Sequence, residues 1–407
     1  MDWIEGGICA PLGFEAAAAH CGVKTHNTSK RDVMVIRSEV MASAAALFTT
    51  NLVQAAPIAV TREHLADGHA QAIVANSGLA NACAPCGRAH ATTTCEVAAD
   101  LMGLKPADII VASTGVIGQE LNIGAITAGL PGIVGALERS AEASDAAAHA
   151  IMTTDTHPKE VACSIELGGT AVRMGAIAKG SGMIHPNMGT MFCFVTTDAA
   201  ISPELARAAL IEANRVSFGR ITVDGDTSTN DTFALMANGM AGNAEISDKG
   251  DDYEAFVAAL CELCQKVARQ MAADGEGAHH LMTCTVSGAT DEAAAETLAK
   301  SVVGSTLTKA AIYGCDANWG RVLCALGYSG ARFDPERVSV SFASAAGTID
   351  VCRDGCGLVF DEALARTILE EPEVRIEVCV GDGEGEATCW GCDITHEYIS
   401  INGDYRS

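Results

Sequence analysis

Lys179-Gly180-Ser181-Gly182-Met183-Ile184-His185-Pro186-Asn187-Met188-Gly189-Thr190-Met191 stands near the middle of the chain, between an apolar run that ends at Ala178 and another that begins at Met191. A strand, a glycine-rich turn and a second strand is the plain reading of this pattern. The Gly189-Thr190 pair admits a chemical reading as well. Glycine has no Cβ, so the peptide bond before Thr190 can enter a strained turn and be approached closely. A threonine hydroxyl beside such a bond can attack the carbonyl of the preceding residue. An N→O acyl shift and hydrolysis of the ester would then cut the chain and leave Thr190 as a new N-terminus. Its α-amine, whose ordinary pKa lies near neutrality, can serve as the base for its own hydroxyl. The local residues leave both readings open.

Outward from this stretch, short β-rich runs alternate with alanine-rich amphipathic ones. Residues 161–167 and 170–178 flank Gly168-Gly169 and predict a hairpin. Residues 190–196 predict the strand after the glycine-rich turn. Residues 33–36, 72–75 and 109–112 read as buried strands, with a further strand at 281–286. Residues 89–104, 203–216 and 253–273 read as helices. Strands interspersed with helices and hairpins imply a layered α/β (α+β) architecture. No repeat of solenoid period and no low-complexity linker divides the chain.

With 407 residues, 49% hydrophobic and 19% charged, the chain can bury a large core or two domains. Its net charge of −25 argues against nucleic acid and anionic membrane as partners. A local pocket around Lys179 can still take a small carboxylate. The longest apolar runs fall short of a bilayer span. Met1-Asp2-Trp3-Ile4-Glu5 lacks the basic flank of a signal peptide, so a cytoplasmic protein is expected. The seventeen cysteines include three C-x-x-C pairs, Cys83/Cys86, Cys261/Cys264 and Cys389/Cys392. Two such pairs can build a zinc site and one a redox motif, but no two sit at ribbon spacing. Reduced, partly buried thiols are the simpler reading, and no metal is expected. Asp224-Gly225-Asp226-Thr227-Ser228-Thr229-Asn230-Asp231 resembles a calcium loop but lacks glycine at the sixth position and glutamate at the twelfth. No Walker, Rossmann or Gly-x-Ser-x-Gly sequence is present.

Several blocks, in order, resemble one family. They are Gly6-Gly7-Ile8-Cys9-Ala10-Pro11-Leu12-Gly13-Phe14, Phe48-Thr49-Thr50-Asn51, Ser113-Thr114-Gly115-Val116-Ile117-Gly118 and Thr153-Thr154-Asp155-Thr156. The Lys179–Met191 stretch with Thr196-Thr197-Asp198-Ala199 follows. Arg220-Ile221-Thr222-Val223-Asp224-Gly225-Asp226, continuing to Thr232, comes next. Asn318-Trp319-Gly320-Arg321 and Ile401-Asn402-Gly403-Asp404-Tyr405-Arg406 complete the series. Their order and spacing are similar to the ornithine acetyltransferase family, the self-processing glutamate N-acetyltransferases of arginine biosynthesis. The resemblance covers nearly the whole chain.

The resemblance implies a self-processing α/β sandwich with smaller lobes, related to the DmpA-like aminopeptidases. It implies cleavage between Gly189 and Thr190, giving fragments 1–189 and 190–407 that assemble as α2β2. It assigns Thr190 as nucleophile, and Thr114 and Gly115 as oxyanion donors, each such donor being worth roughly 3–4 kcal/mol. It assigns Thr153, Lys179, Thr190, Glu276, Asn402 and Ser407 to substrate binding. The substrates implied are N2-acetylornithine and glutamate, with acetyl-CoA as a second donor in some members and no cofactor. Read from residue type alone, Lys179 is a solvated strand-end charge, and Ser113-Thr114-Gly115 a turn. Departures from the family pattern are Gly189 for alanine, His185 for a small residue, Leu79 for asparagine, His279-His280 for Thr-Lys and Cys315 for arginine. A self-processing aminopeptidase of similar fold is the alternative, and a cysteine-rich metal or redox protein is the reading from another class.

Overall fold

Gly168 and Gly169 turn the chain where expected, both at positive φ (+54° and +82°), the combination that two-residue hairpins favour because its twist matches the flanking strands. The computed structural model describes residues 1–24, 28–185 and 191–404. Its strands are β1 (Asp2–Ile4), β2 (Phe14–Ala19), β3 (Val33–Phe48), β4 (His69–Asn76), β5 (Ile109–Ser113), β6 (Lys159–Leu167), β7 (Thr170–Lys179), β8 (Phe192–Thr197), β9 (Ile221–Thr222), β10 (Thr232–Ala237), β11 (Leu281–Ala289), β12 (Ser339–Ser344), β13 (Gly347–Arg353), β14 (Cys356–Gly357), β15 (Glu373–Cys379) and β16 (Gly385–Cys392). Its helices are α1 (Ala56–His64), α2 (Gly87–Met102), α3 (Ile123–Gly135), α4 (Ala141–Ile151), α5 (Pro203–Val216), α6 (Asp251–Ala273), α7 (Glu292–Gly304), α8 (Thr306–Tyr313), α9 (Trp319–Tyr328), α10 (Glu362–Leu369) and α11 (His396–Gly403).

The chain forms two compact units. The first takes in Met1–Gly180, Pro186–Gly219 and Thr227–Ala268; the second takes in Ser181–His185, Arg220–Asp226 and Arg269–Ser407. The boundary follows packing, and the first unit holds residues from both sides of the 189/190 bond.

In the first unit one sheet runs β1-β6-β7-β8-β10-β3-β4-β5, with β2 on β3. Only β8/β10 and β4/β5 pair in parallel among its described strands. Alternate residues of the central strands feed opposite cores. Met34, Ile36, Ile73, Ala75, Ile110 and Ala112 join the alanines of α4. Val33, Val35, Ala72, Val74, Ile109 and Val111 pack with α2 and α3. Helices on both faces explain why these strands read as unbroken apolar runs, with no polar alternation in the sequence. The run at 33–36 opens a sixteen-residue strand, whose alanine-rich second half carries no β signal of its own and is held by its neighbours. The alanines of residues 14–19 are likewise a strand, β2.

The second unit's sheet runs β14-β13-β12-β15-β11-β16-β9. Along β15 one face is apolar: Val374, Ile376 and Val378 point into the core with Met282, Cys284 and Val286 of β11, while Arg375, Glu377 and Cys379 are exposed. Helix α7 lies against β11 and β16, and α10 against β12. A strict period of two is what a sheet with one wet face imposes. The layered α/β class expected from the sequence therefore holds in both units. Helix α5 begins where Ser202 and Pro203 direct it, the serine side chain accepting the Leu205 amide and the proline sitting at the first turn, a cap worth about 1 kcal/mol.

Every cysteine is a free thiol. Cys264, on α6, is fully buried, and burial pushes its thiol well above the ordinary range; burial likewise raises Cys95 and Cys389 to about 12. Cys264 and Cys389 are thus buried thiols of low reactivity, whereas Cys83 and Cys86 of the first C-x-x-C pair are exposed.

Candidate functional site

Strand β5 ends at Ser113 and delivers Thr114 and Gly115 to a loop that the backbone holds tightly. The Thr114 amide donates to the Asn76 carbonyl at 2.9 Å, and the Val116 amide to the Gly78 carbonyl at 3.1 Å. Gly115 has φ of +129°, and a Cβ there would overlap the Gly78 carbonyl group. Only glycine fits, on both counts. Asn230 fastens the loop from a third segment: its Nδ2 donates to the carbonyls of Ser113 at 2.5 Å and Ala80 at 2.6 Å. Thr114 and Gly115 are half-buried. No described residue accepts a hydrogen bond from the Thr114 hydroxyl or the Gly115 amide, so a rigid loop presents two donors.

Asp155 organises the Thr153 loop. Its side chain is fully buried. One carboxylate oxygen takes Lys159 Nζ at 2.8 Å and the Gly180 amide at 2.7 Å. The other takes the Thr153 amide at 3.0 Å and stands 3.9 Å from Lys179 Nζ. Burial alone would raise the Asp155 pKa, but Lys179, Lys159 and the Gly180 amide outweigh it and hold it down at about 2. Lys179 is 8% exposed, not the solvated strand end that its residue type suggests. Asp155 thus joins Thr153, Lys159 and Lys179 in one cluster in which two ammonium groups face one carboxylate.

Asp231 immediately precedes β10 and is 2% exposed. Thr49 and Ser228 approach its carboxyl, but neither oxygen completes a hydrogen bond of normal geometry. Burial pushes its pKa well above the usual carboxylate range, against the pull of Lys179. The Thr232 amide donates to the Met191 carbonyl at 2.9 Å, and Thr232 faces Phe192 in the β10/β8 register.

In the second unit, Glu276 occupies the turn between α6 and β11 and is 6% exposed. Its amide donates to the Ser181 carbonyl at 2.9 Å, and Ser181 Oγ donates to the Asp274 carbonyl at 2.7 Å. Asn402, on α11, donates through Nδ2 to Glu276 Oε2 at 2.7 Å. The two side chains are therefore in direct contact. Gly182 passes so close that a Cβ would overlap the Glu276 carboxylate. Asp224, set aside as a calcium ligand, accepts the amides of Met183 at 2.6 Å and Ile184 at 2.9 Å and so pins the glycine-rich turn. Tyr398 reaches the same carboxylate at 3.3 Å; burial first, then Asp224 and Glu276, raise its phenol.

His185 Nδ1 lies 3.0 Å from Thr222 Oγ1, and burial, with Lys300, lowers its pKa. His279 and His280 immediately precede β11, and His280 pairs with Asp393 at 2.8 Å. Gly189, Thr190 and Ser407 lie outside the described residues. Sequence reasoning missed Asp155, Lys159, Asn230, Asp231 and Tyr398 as site residues. Asp155, Asn230 and Asp231 stood inside quoted blocks, but only the fold supplies their partners. Among the described residues the one cluster with metal-ligating geometry is Cys86, His90 and Glu120.

A family model described as the ArgJ family matches residues 15–407. The arginine biosynthesis bifunctional protein ArgJ of Symbiobacterium thermophilum is 49% identical over 408 residues, with 100% of both chains covered. The protein of that name from Bacillus subtilis is 42% identical over 406 residues, 99% of this chain and 97% of that one. Among solved structures, ornithine acetyltransferase of Mycobacterium tuberculosis, complexed with ornithine, is 35% identical; the match covers 46% of this chain and 96% of that one, with a TM-score of 0.41.

Proposed function

The chain belongs to the ArgJ family, and from that premise we propose that it is an acetyltransferase of arginine biosynthesis that moves the acetyl group of N2-acetylornithine to glutamate. The full-length match to the family carries this reading. The chain first cuts itself: the Thr190 hydroxyl attacks the Gly189 carbonyl, the amide becomes an ester, and water hydrolyses it. The freed Thr190 α-amine then takes the hydroxyl proton as the oxygen attacks the acetyl carbonyl. The Thr114 hydroxyl and Gly115 amide, held in the loop described above, receive the oxyanion. The departing ornithine nitrogen takes up the proton, and an acetyl-Thr190 ester remains. The glutamate amine attacks that ester and leaves as N-acetylglutamate, restoring Thr190.

Lys179, backed by Lys159 and Asp155, supplies positive charge for a substrate carboxylate, and Thr153 is set by the same aspartate. Glu276, oriented by Asn402, suits the ornithine side-chain ammonium, and Ser407 contributes a hydroxyl. No cofactor takes part; acetyl-CoA serves as a second donor to glutamate, in keeping with the word bifunctional in the relatives' names. The fragments 1–189 and 190–407 assemble as α2β2 in the cytoplasm. No helix among the described residues is long and apolar enough to cross a membrane.

The test is direct. Purified protein should run as two fragments on a denaturing gel, one beginning at Thr190, and Thr190→Ala should stay whole. Acetylornithine without glutamate should add one acetyl group to the 190–407 fragment. Acetate as the sole product in the presence of glutamate would instead mark a hydrolase.

A further inference from the structure

Cys86, His90 and Glu120 lie apart from the proposed catalytic machinery and place their ligand atoms within 4.8 Å of one another. Cys86 immediately precedes α2, and His90 is in its first turn, the His90 amide donating to the Cys86 carbonyl at 3.0 Å. The i, i+4 spacing puts both side chains on one side of the helix start. Glu120 arrives from the loop after β5. Its Oε1 accepts the Cys86 amide at 3.1 Å, and its Oε2 stands 3.5 Å from His90 Nδ1. That Nδ1 is buried and completes no hydrogen bond. A buried ring nitrogen without a partner is costly, and here it faces a thiol and a carboxylate.

We propose that these three residues bind a borderline-soft divalent cation of the zinc class, with water at the fourth tetrahedral position. Zinc bonds of about 2.0–2.3 Å set ligand atoms roughly 3.3–3.8 Å apart, and the His90–Glu120 separation already falls there. Binding converts the Cys86 thiol to a thiolate, its proton passing to solvent, and gives His90 Nδ1 a partner. The Cys86 amide on Glu120 then serves to orient a ligating carboxylate, as outer contacts of metal sites commonly do. Sequence spacing pointed away from a metal because it weighed the C-x-x-C pairs against one another. This cluster takes one cysteine of a pair and finds its carboxylate thirty-four residues later.

The ion would clamp two segments that frame the Thr114-Gly115 loop. Leu79 and Val116 form a parallel bridge, and the Gly118 amide donates to the Ala82 carbonyl at 3.0 Å. Cys86 continues the first segment and Glu120 the second. The site is therefore a brace, and its readout is binding and stability.

Full-length protein, stripped with a chelator and desalted, should take up one Zn2+ per chain when titrated against a chromophoric competitor. Cys86→Ser should abolish uptake, and His90→Gln and Glu120→Gln should each weaken it about tenfold or more. Cys356→Ser, at an exposed thiol elsewhere, should leave it unchanged. Zn2+ should raise the thermal midpoint of wild type and not that of His90→Gln. Absence of uptake by wild type, or uptake undiminished in both Cys86→Ser and His90→Gln, would overturn the assignment.

Discussion

Replacing Asp155 by asparagine is the sharpest perturbation of the binding cluster. The carboxylate is fully buried, accepts Lys159 Nζ and two backbone amides, and has Lys179 at 3.9 Å. Folding lowers its pKa from the ordinary 3.8 to about 2, which at ~1.4 kcal/mol per unit amounts to about 2 kcal/mol of stability carried by the charged form. Because the folded value is the lower one, that stability is present above about pH 4 and is lost as pH falls through about 2. Asparagine removes the charge and turns an NH2 group toward neighbours that are all donors. Lys159, with its side chain fully buried, then loses its counter-charge, and breaking a buried pair from one side costs about 3–5 kcal/mol. Guanidinium titrations at pH 7 and pH 3 measure both effects: Asp155→Asn should lose several kcal/mol at pH 7, and its deficit should shrink at the acid end. Adding Lys159→Met should recover part of the loss, since it removes one of the two ammonium groups that face the carboxylate and leaves Lys179 in place. A loss below about 1 kcal/mol at pH 7, or a deficit independent of pH, would refute the reasoning.

Gly115→Ala should lower turnover by about 10²-fold or more, because a Cβ forces the oxyanion loop off Gly78; steady-state rates on protein shown to be cleaved decide it. Gly182→Ala should raise the KM for acetylornithine on the order of tenfold and match Glu276→Gln, since its Cβ displaces the same carboxylate; an unchanged KM would remove Glu276 from ornithine binding. Asp231 has a raised folded pKa, so its contribution is present at low pH and lost as pH rises. In an uncut Thr190→Ala background, the denaturant midpoint of Asp231→Asn should therefore gain on that of its parent as pH rises.

The elements were legible where local chemistry decides them. Gly168-Gly169 announced its hairpin, and Ser202-Pro203 fixed the start of a helix to the residue. Buried runs such as residues 109–112 could be read as strands because both sheet faces are covered, although their partners could not. Alanine-rich β2 and the second half of β3 escaped notice, since alanine has no strand preference and pairing alone makes them strands. Motif resemblance singled out Thr114, Lys179 and Glu276, but not what holds them. Asn230 joins carbonyls 117 and 150 residues away, and no local pattern encodes a contact across such a loop. The burial of Lys179 was hidden for the same reason: a lysine at a strand end is normally wet, and Asp155, 24 residues earlier in the chain, makes its burial tolerable.

The strand order of the larger sheet has a consequence for a chain cut between residues 189 and 190. Strands β8 and β10 would belong to the C-terminal fragment, yet they lie between β7 on one side and β3 on the other, both from the N-terminal fragment. The fragments would be interleaved like the teeth of two combs. Withdrawing the second would open two hydrogen-bonded seams at once and leave the first as two separate half-sheets. Such a cut cannot release a propeptide, and fragments synthesised apart would each lack the neighbours that define their strands. The sheet must therefore close before the bond is broken, and scission would leave a permanent nick in a single sheet.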